Sequence, residues 1–271
     1  MMLPYSRNDA VAYIEANLED FSLSFRSLPG ARSYIGQDVK WVYCGADGLN
    51  RVLGVHLAES EADERVEAVL SIYRSLNAGC QWFLGPSTRP ANLGERLLRR
   101  GLIRRGDWAG MAADLTLPAA SVPAAPGVEV VEVADTASLR LWARVACRGF
   151  GMPEASWQAF EDVVVMRGIG PGLPWRHFLA YYEDTPASTA SLYGENGLCG
   201  LYYISTVPEA RRRGCARAAT LAAMHAAREM GYQVATLQAT PAGAQVYSQI
   251  GFERFCTLVF YRMEAERHAT A

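Results

Sequence analysis

The sequence lacks the residue patterns that mark several common classes of protein. Its six cysteines are scattered over positions 44, 80, 147, 199, 215 and 256 without a C-x-x-C pair, and its four histidines are equally dispersed. We therefore expect reduced thiols, no disulfide framework and no bound metal. No apolar run approaches the roughly 18 residues that cross a bilayer, and no basic leader precedes an apolar signal core. These absences predict a cytoplasmic protein with no membrane partner.

The sequence also lacks a strong excess of charge of either sign. Its 26 Lys and Arg residues against 28 Asp and Glu residues give a formal net charge of −2. Domains that bind nucleic acid are usually strongly basic, so no nucleic-acid partner is expected. Hydrophobic residues, in contrast, make up 50% of the 271 positions. This supply is sufficient for one large domain or two ordinary ones.

Proline is concentrated in one segment near the middle of the chain. Residues 116–127 contain Pro118, Pro123 and Pro126 among small residues. Such a composition does not readily form a helix or an interior strand. The segment predicts an Ala/Pro-rich linker over 116–127, between an amino-terminal domain at 1–115 and a carboxy-terminal domain at 128–271.

Hydrophobic periodicity in the carboxy-terminal half predicts a regular series of strands and helices. The expected elements are a strand at 128–133, helices at 136–148 and 155–166, strands at 176–182, 188–193 and 198–206, a helix at 218–230, a strand at 232–238 and a short helix through 245. The Asn196-Gly197 pair favours a tight hairpin turn. The strand that ends at Thr206 therefore leads through a turn into a helix.

That turn is the most informative segment of the chain. Gly214 and Ala216 leave little side-chain bulk over the first helical turn, so unpaired backbone N–H groups can converge there on an anion. The positive end of the helix dipole and the neighbouring arginines add favourable charge. A diphosphate would fit this turn. The run Arg211–Arg213 is also consistent with a solvated basic turn.

The motif R-x-x-G-x-A, formed by Arg211, Gly214 and Ala216, resembles the acyl-CoA pyrophosphate loop of the GNAT (Gcn5-related N-acetyltransferase) superfamily. Tyr247, followed by Gly251-Phe252, is similar to the family's Tyr-x-x-x-Gly-Phe signature. The elements between these motifs follow the family's order, and the resemblance covers roughly residues 128–263. It implies the GNAT fold, an α/β (α+β) architecture with a mixed, mostly antiparallel central sheet flanked by helices.

The resemblance also implies an activity. GNAT enzymes are N-acetyltransferases that use acetyl-CoA as a cosubstrate, and we expect transfer to a primary amine of a small or moderate-sized acceptor within one ternary complex. Two alternatives remain open at this point. One is transfer of another short acyl group, and the other is a CoA-binding regulatory or scaffold protein without turnover.

By the same resemblance, the cofactor-binding residues fall into three groups. Backbone groups of Ile204, Ser205 and Thr206 would bind the pantetheine arm, and Thr240 stands where many family members have an Asn that contacts this arm. The substitution of Thr for Asn weakens that one assignment. The pyrophosphate would lie on the backbone of Arg211, Arg212, Arg213, Gly214, Cys215, Ala216 and Arg217.

Tyr247 is the candidate catalytic residue that protonates the departing thiolate. An unperturbed phenol has a pKa of about 10 and a thiol about 8.5, a range in which this proton can be delivered. The alternative is a packed tyrosine whose hydroxyl donates to a backbone carbonyl. No residue is assigned as general base, although Glu154, Glu161 and Glu195 are available.

The connection between the first two helices of this half is the expected acceptor site. In the superfamily this region forms a wall of that site, and here it contains Phe150, Met152 and Trp157. These side chains would favour an aromatic or aliphatic amine. They are equally consistent with anchoring the loop to the core.

The amino-terminal half resembles a second, degenerate GNAT domain, so that the fold would be present in tandem. Strands are expected at 33–36, 39–44, 51–57 and 81–84, with a helix at 62–77. The segment 90–102 aligns without gaps on 240–252, with Gly101 at the position of Gly251 and Leu97 at that of Tyr247.

The position of the anion loop is acidic in this half, with Glu59, Glu61, Asp63 and Glu64. Carboxylates would repel a diphosphate, so we expect no cofactor site here and a structural or substrate-framing role. An unrelated α/β domain is the alternative.

Overall fold

The computed structural model describes residues 6–46, 48–117 and 125–265. Within these ranges the chain forms seven α-helices and eleven β-strands. The helices are α1 (Arg7–Leu23), α2 (Ala62–Ser75), α3 (Leu93–Arg99), α4 (Thr136–Phe150), α5 (Trp157–Arg167), α6 (Cys215–Glu229) and α7 (Pro241–Ser248). The strands are β1 (Arg32–Ile35), β2 (Lys40–Tyr43), β3 (Arg51–Leu53), β4 (Cys80–Leu84), β5 (Ile103–Asp114), β6 (Val128–Glu132), β7 (Trp175–Tyr182), β8 (Thr185–Glu195), β9 (Leu198–Thr206), β10 (Val234–Ala239) and β11 (Glu253–Met263).

The described chain divides into two compact units, each assembled from separate stretches of sequence. The first unit contains residues 6–17 and 110–255, and the second contains residues 18–109 and those that follow 255. The sequence predicted continuous domains divided at 115 and 128, whereas these units are discontinuous. Most of the predicted linker, residues 118–124, lies outside the described residues.

The first unit is a mixed sheet in the order β5-β10-β9-β8-β7-β6. Strands β6 to β9 are antiparallel neighbours, and β10 is parallel to β9. The hairpin between β8 and β9 turns at Asn196 and Gly197, which both have positive φ values, as the Asn-Gly pair predicted. Helix α4 begins at Asp135, whose carboxylate accepts from the backbone N–H of Ser138 in a capping box.

The second unit contains strands β1-β2-β3-β4-β11 in that order. Only the β3–β4 pair is parallel among the four pairs that join these five strands. The core lies under α2, where Val66, Leu70 and Tyr73 pack with Trp82 and Leu93. The sheets of both units are therefore mixed and mostly antiparallel with flanking helices, as the sequence predicted.

The two units repeat one order of elements along the chain. Strands β1, β2 and β3 are followed by α2, β4, α3 and β5, and strands β7, β8 and β9 by α6, β10, α7 and β11. In each series the third and fourth strands are the parallel pair. After the short helix in each series, Gly101 and Gly251 have positive φ values of 80° and 101°. The gapless alignment of 90–102 on 240–252 thus matches equivalent elements.

Helix α1 and strand β5 were not predicted. Helix α1 buries Ala10, Ile14, Leu18 and Phe21, a spacing of one helical face. Strand β5 is rich in Ala and Gly, which have low strand propensity. The predicted strand 51–57 is shorter than expected, because β3 ends before Gly54, which has a φ of 58°.

None of the six cysteines forms a disulfide with another described residue. None of the helices in the described ranges combines the length and apolar character needed to cross a membrane.

Candidate functional site

The site begins where β9 and β10 separate. Their parallel ladder contains only the pairs Cys199–Ala235 and Gly200–Thr236, although β9 continues to Thr206 and β10 to Ala239. On its other edge, β9 stays paired with β8 as far as Thr206. The two strands therefore diverge after their second pair, and the edge of β9 that faces the gap has backbone groups outside any ladder.

A β-bulge lies in β9 beside this gap. Tyr203 and Ile204 together oppose Ala190, and Tyr203 has a φ of 52°. Thr189 fixes the bulge, since its hydroxyl donates to the carbonyl of Tyr203 at 2.7 Å. The Tyr203 ring packs edge-on against Trp142 and Phe160. The bulge thus keeps that half-buried ring against two core residues and changes the alternation of the residues after it.

A cavity of about 1160 Å³ opens at the separation. It brings together every residue that the sequence predicted for cofactor binding, namely Ile204, Ser205, Thr206, Arg211, Arg212, Arg213, Gly214, Cys215, Ala216, Arg217 and Thr240. Tyr247 and Phe150 also line it. Sequence reasoning missed other lining residues, including Ala125, Pro126, Gly149, Tyr182 and Gly243. These belong to segments without a local motif, so no sequence signal identified them.

The loop before α6 presents the start of that helix to the cavity. Gly214 is the N-cap residue, with a φ of 86° and no side-chain cap, and the first turn contains no acidic residue. The first N–H groups of the helix have no intrahelical acceptor. A Cβ atom on Gly214 would lie 2.6 Å from the Cβ of Ala125, so both the backbone angle and the packing require glycine.

The arginines of the loop have different roles. Arg211 ties the loop to its surroundings, because its side chain donates to the carbonyls of Thr206 and Gly149, each at 3.3 Å. Arg213 lies over the ring of Tyr182 at 5.6 Å. Within the described ranges, neither Arg212 nor Arg213 forms an ion pair with a carboxylate. The cavity therefore contains guanidinium groups whose charge is not neutralised by those residues.

Tyr247 projects from α7 and is almost fully buried. Burial raises the pKa of its phenol, so the hydroxyl stays protonated at ordinary pH. The ring packs edge-on with Phe252 at 6.1 Å. No described residue accepts from or donates to the Tyr247 hydroxyl. The alternative of a tyrosine held by a backbone carbonyl is not the arrangement found among these residues.

Thr240 caps the same helix. Its hydroxyl accepts from the backbone N–H of Gly243 at 3.2 Å, and Pro241 occupies the first helical position. A Cβ atom on Gly243 would lie 3.1 Å from the Tyr247 ring. The cap and this glycine thus fix α7 and the tyrosine together at the wall of the cavity.

Cys215 is buried at the first position of α6, and its thiol donates to the carbonyl of Ala210 at 3.8 Å. Burial raises the pKa of this thiol. The protonated form is a poor nucleophile, so the residue has the character of a packing group.

Of the three predicted acceptor residues, only Phe150 lines the cavity, and its side chain is 51% exposed. Met152 and Trp157 are not among the lining residues. The Trp157 indole donates to the carbonyl of Met152 at 2.9 Å. This hydrogen bond anchors the loop, which was the alternative role for these two residues.

None of the available carboxylates lies in the cavity. Glu161 is buried and ion-paired with Arg140 at 2.5 Å and Arg144 at 2.9 Å, and these guanidinium groups lower its pKa. Glu195 accepts a hydrogen bond from Tyr193. In the part of the chain that the structure describes, no group of three His, Cys, Asp or Glu side chains has an arrangement suited to a metal ion.

Comparison with known structures identifies the fold. A GCN5-related N-acetyltransferase from Kribbella flavida has a TM-score of 0.71 at 18% identity, over 96% of this chain and 97% of that one. A tandem GNAT protein from the clavulanic acid biosynthesis pathway has a TM-score of 0.57 at 14% identity, over 97% and 98%. A GCN5-related N-acetyltransferase from Sphaerobacter thermophilus has a TM-score of 0.58 at 16% identity, over 96% and 94%.

Sequence comparison places the family on one part of the chain. No curated protein matches the sequence. The family described as acetyltransferase (GNAT) matches residues 137–252, a range that holds all of the cavity lining except Ala125 and Pro126. By this comparison residues 137–252 form a GNAT domain, and the match supports an acyltransferase activity.

Proposed function

We propose that the protein transfers an acetyl group from acetyl-CoA to a primary amine of a small or moderate-sized acceptor, by direct attack within a ternary complex. One observation carries the proposal. A single cavity joins the open edge of β9, the start of α6 and Tyr247, whose hydroxyl has no partner among the described residues. Acyl transfer from a thioester of CoA needs a group of each kind.

The residues at the start of α6 fit a diphosphate. Gly214 and Ala216 leave the backbone N–H groups accessible, and the helix dipole adds a positive potential. Arg212 and Arg213 supply charge that no described carboxylate neutralises. Backbone groups on the open edge of β9, at Ile204–Thr206, are available to form hydrogen bonds with the amide groups of a pantetheine arm.

The chemistry then follows from these groups. The amine nitrogen attacks the thioester carbonyl, the C–N bond forms, and negative charge develops on the carbonyl oxygen. When the tetrahedral intermediate collapses, the C–S bond breaks and the thiolate takes the proton of the Tyr247 hydroxyl. The products are the N-acetylated amine and CoA with a free thiol, and Tyr247 regains a proton from water. The nitrogen of the tetrahedral intermediate loses one proton to water, which balances the proton that Tyr247 regains.

That acceptor proton leaves through solvent. The described lining of the cavity contains no Asp, Glu or His side chain. A dedicated base is therefore not part of this proposal, and the acceptor must reach the site as the neutral amine. The reaction rate should rise with pH until the acceptor itself is deprotonated.

Phe150 is the acceptor contact that the geometry favours. It lines the cavity while half of its side chain is exposed, as expected for a group on an entry path. An aromatic surface at this position favours amines with an apolar body. The six cysteines form no disulfide among the described residues, which supports a location in a reducing compartment, taken here to be the cytoplasm.

The test is a panel of primary amines crossed with acetyl-, propionyl- and succinyl-CoA, assayed by release of free thiol. We expect thiol release above the hydrolytic background only when an amine is present, with acetyl-CoA preferred. Calorimetry with CoA is run in parallel. CoA binding without consumption of any acceptor would support the scaffold alternative. Absence of CoA binding would contradict both the acetyltransferase and the scaffold function.

A further inference from the structure

Asn17 of α1 contacts both of the strands that diverge at the site. Its side chain is fully buried. Its Oδ1 atom accepts a hydrogen bond from the Tyr202 hydroxyl of β9 at 2.6 Å and lies 3.4 Å from the donating Thr236 hydroxyl of β10. One amide oxygen thus joins the two strands from outside the sheet.

The contact lies at the last pair before the strands separate. That pair is Gly200 with Thr236, and Tyr202 is the second residue beyond Gly200. A Cβ atom on Gly200 would lie 1.8 Å from the Asn17 Oδ1 atom. The asparagine side chain therefore occupies the space above the final pair, and only glycine at position 200 admits it.

Asn17 makes these contacts with only one of its two polar side-chain atoms. The Asn17 Nδ2 atom is buried and has no hydrogen-bond partner among the described residues, an arrangement that destabilises a fold. Thr236 has a second acceptor within reach, the carbonyl of Cys199 at 3.3 Å. What the asparagine adds is a shared acceptor for hydroxyls on β9 and β10.

We propose that Asn17 is a positioning residue that holds β9 and β10 together at their last pair and so fixes where the cavity opens. The inference rests on the proposed function, since it takes the gap between these strands as the CoA site. Asn17 acts through Tyr202 and Thr236 and does not touch the reacting atoms. Without it, the final pair can open and the edge of β9 loses its fixed distance from α7.

The test is the affinity of CoA for the folded full-length chain, measured by calorimetry. We expect Asn17→Ala to raise the Kd for CoA by about fivefold, because the loss of the hydrogen bond leaves the strands less ordered before CoA binds. Tyr202→Phe, which removes the donor and keeps the ring, should raise the Kd by about threefold. Because both changes break the same contact, the double variant should bind no more weakly than Asn17→Ala alone.

Ile14→Ala is the matched control. Ile14 is also fully buried and lies one turn earlier on α1, but it has no polar group to join the strands. This variant should lose thermal stability while its Kd for CoA stays within about twofold of the wild type. Equal effects of the Ile14 and Asn17 variants on CoA affinity would mean that α1 contributes only packing.

The outcomes separate this inference from the proposed function. A wild-type chain that binds no CoA removes the proposed function. A wild-type chain that binds CoA, with unchanged Kd in the Asn17 and Tyr202 variants, overturns only the role of Asn17. If Asn17→Ala does not fold, Tyr202→Phe decides alone, and an unchanged Kd in that variant overturns the inference.

Discussion

The two units have the same order of elements but opposite charge at the start of equivalent helices. Helix α6 begins at Gly214 with no acidic residue in its first turn, after a run of three arginines. Helix α2 begins after Glu61 and has Asp63 and Glu64 in its first turn. A helix N-terminus attracts negative charge in both cases. In the second unit, the chain's own carboxylates supply it.

Two carboxylates of this acidic segment, Glu59 and Asp63, are neutralised within the second unit. Arg96 of α3 is nearly buried and binds both Glu59 and Asp63. Arg100 adds a contact with Asp63 at 2.6 Å. Leu97, at the position equivalent to Tyr247, is fully buried in the core. A repeated fold can therefore keep its architecture while an internal ion-pair cluster replaces the groups that would hold an anion and donate a proton.

The largest expected effect on CoA binding comes from making the start of α6 acidic, as the start of α2 is. We expect the double substitution Arg212→Glu and Arg213→Glu to weaken CoA binding about 100-fold or more, because carboxylates repel the diphosphate. Calorimetry at fixed ionic strength measures it. The control is Arg99→Glu with Arg105→Glu, two exposed arginines of the second unit that give the same change in net charge. Equal losses of CoA affinity in both double variants would mean that the effect comes from net charge alone.

The second comparison is between Tyr247 and Leu97. Tyr247→Phe should lower kcat by about 30- to 100-fold with little change in the Kd for acetyl-CoA, since in the proposed mechanism the phenol protonates the leaving thiolate. Burial raises the pKa of Tyr247, so the loss should be uniform from pH 6 to pH 9. Thiol release across this range measures it. Tyr232→Phe, a tyrosine outside the cavity lining, is the control, and unchanged turnover in Tyr247→Phe removes the assignment.

A smaller effect is expected at Gly214. The substitution Gly214→Ala forces the loop away from Ala125 and should weaken CoA binding by about tenfold. Gly172→Ala is a matched control, because Gly172 has a similar φ of 83° with no described atom within 4 Å of its added Cβ. Both variants carry a backbone strain of about 1 kcal/mol. Only Gly214→Ala should change the calorimetric Kd, and similar values in the two variants would contradict the packing argument.

The smallest effect concerns the acidic loop of the second unit. A hydrogen bond from Arg100 and the charge of Arg96 hold the pKa of Asp63 below its usual value. Its folded-state pKa is thus lower than its unfolded-state pKa, so its contribution is present above about pH 4 and is lost as the pH falls further. Thermal melts from pH 3 to pH 6 measure it.

In these melts, Asp63→Asn should have a Tm lower by about 1–3 °C at pH 6 and a smaller fall in Tm on acidification than the wild type. Asp107→Asn, at an exposed carboxylate of the same unit, provides the control. An identical acid response in wild type and Asp63→Asn would mean that the cluster contributes nothing measurable to folding.

Local determinants were sufficient to predict residues that line one cavity. The Arg211–Ala216 motif lies between one strand and one helix, so spacing alone places its residues at a helix start. Tyr247 could be found for a similar reason, because its distance from Gly251 is fixed by one short helix. These residues and the end of β9 do meet in one cavity.

Other features depend on contacts that are distant in sequence. Asn17 and Tyr202 are 185 positions apart, and nothing near either residue indicates the other. The membership of residues 6–17 and 110–117 in the first unit also depends on contacts distant in sequence, which the proline-rich segment does not indicate. Met152 and Trp157 had the right composition for a binding surface, but the direction of a side chain within a loop is not encoded by composition.

The discontinuous make-up of the first unit has a consequence for how its gene can be cut. A plasmid insert that starts at Val128 omits α1. The encoded polypeptide therefore lacks Asn17, and the groove over Gly200 that this side chain fills is empty. Recombination that shuffles the halves would meet the same defect. We therefore expect the carboxy-terminal half, expressed alone, to need compensating changes at that groove.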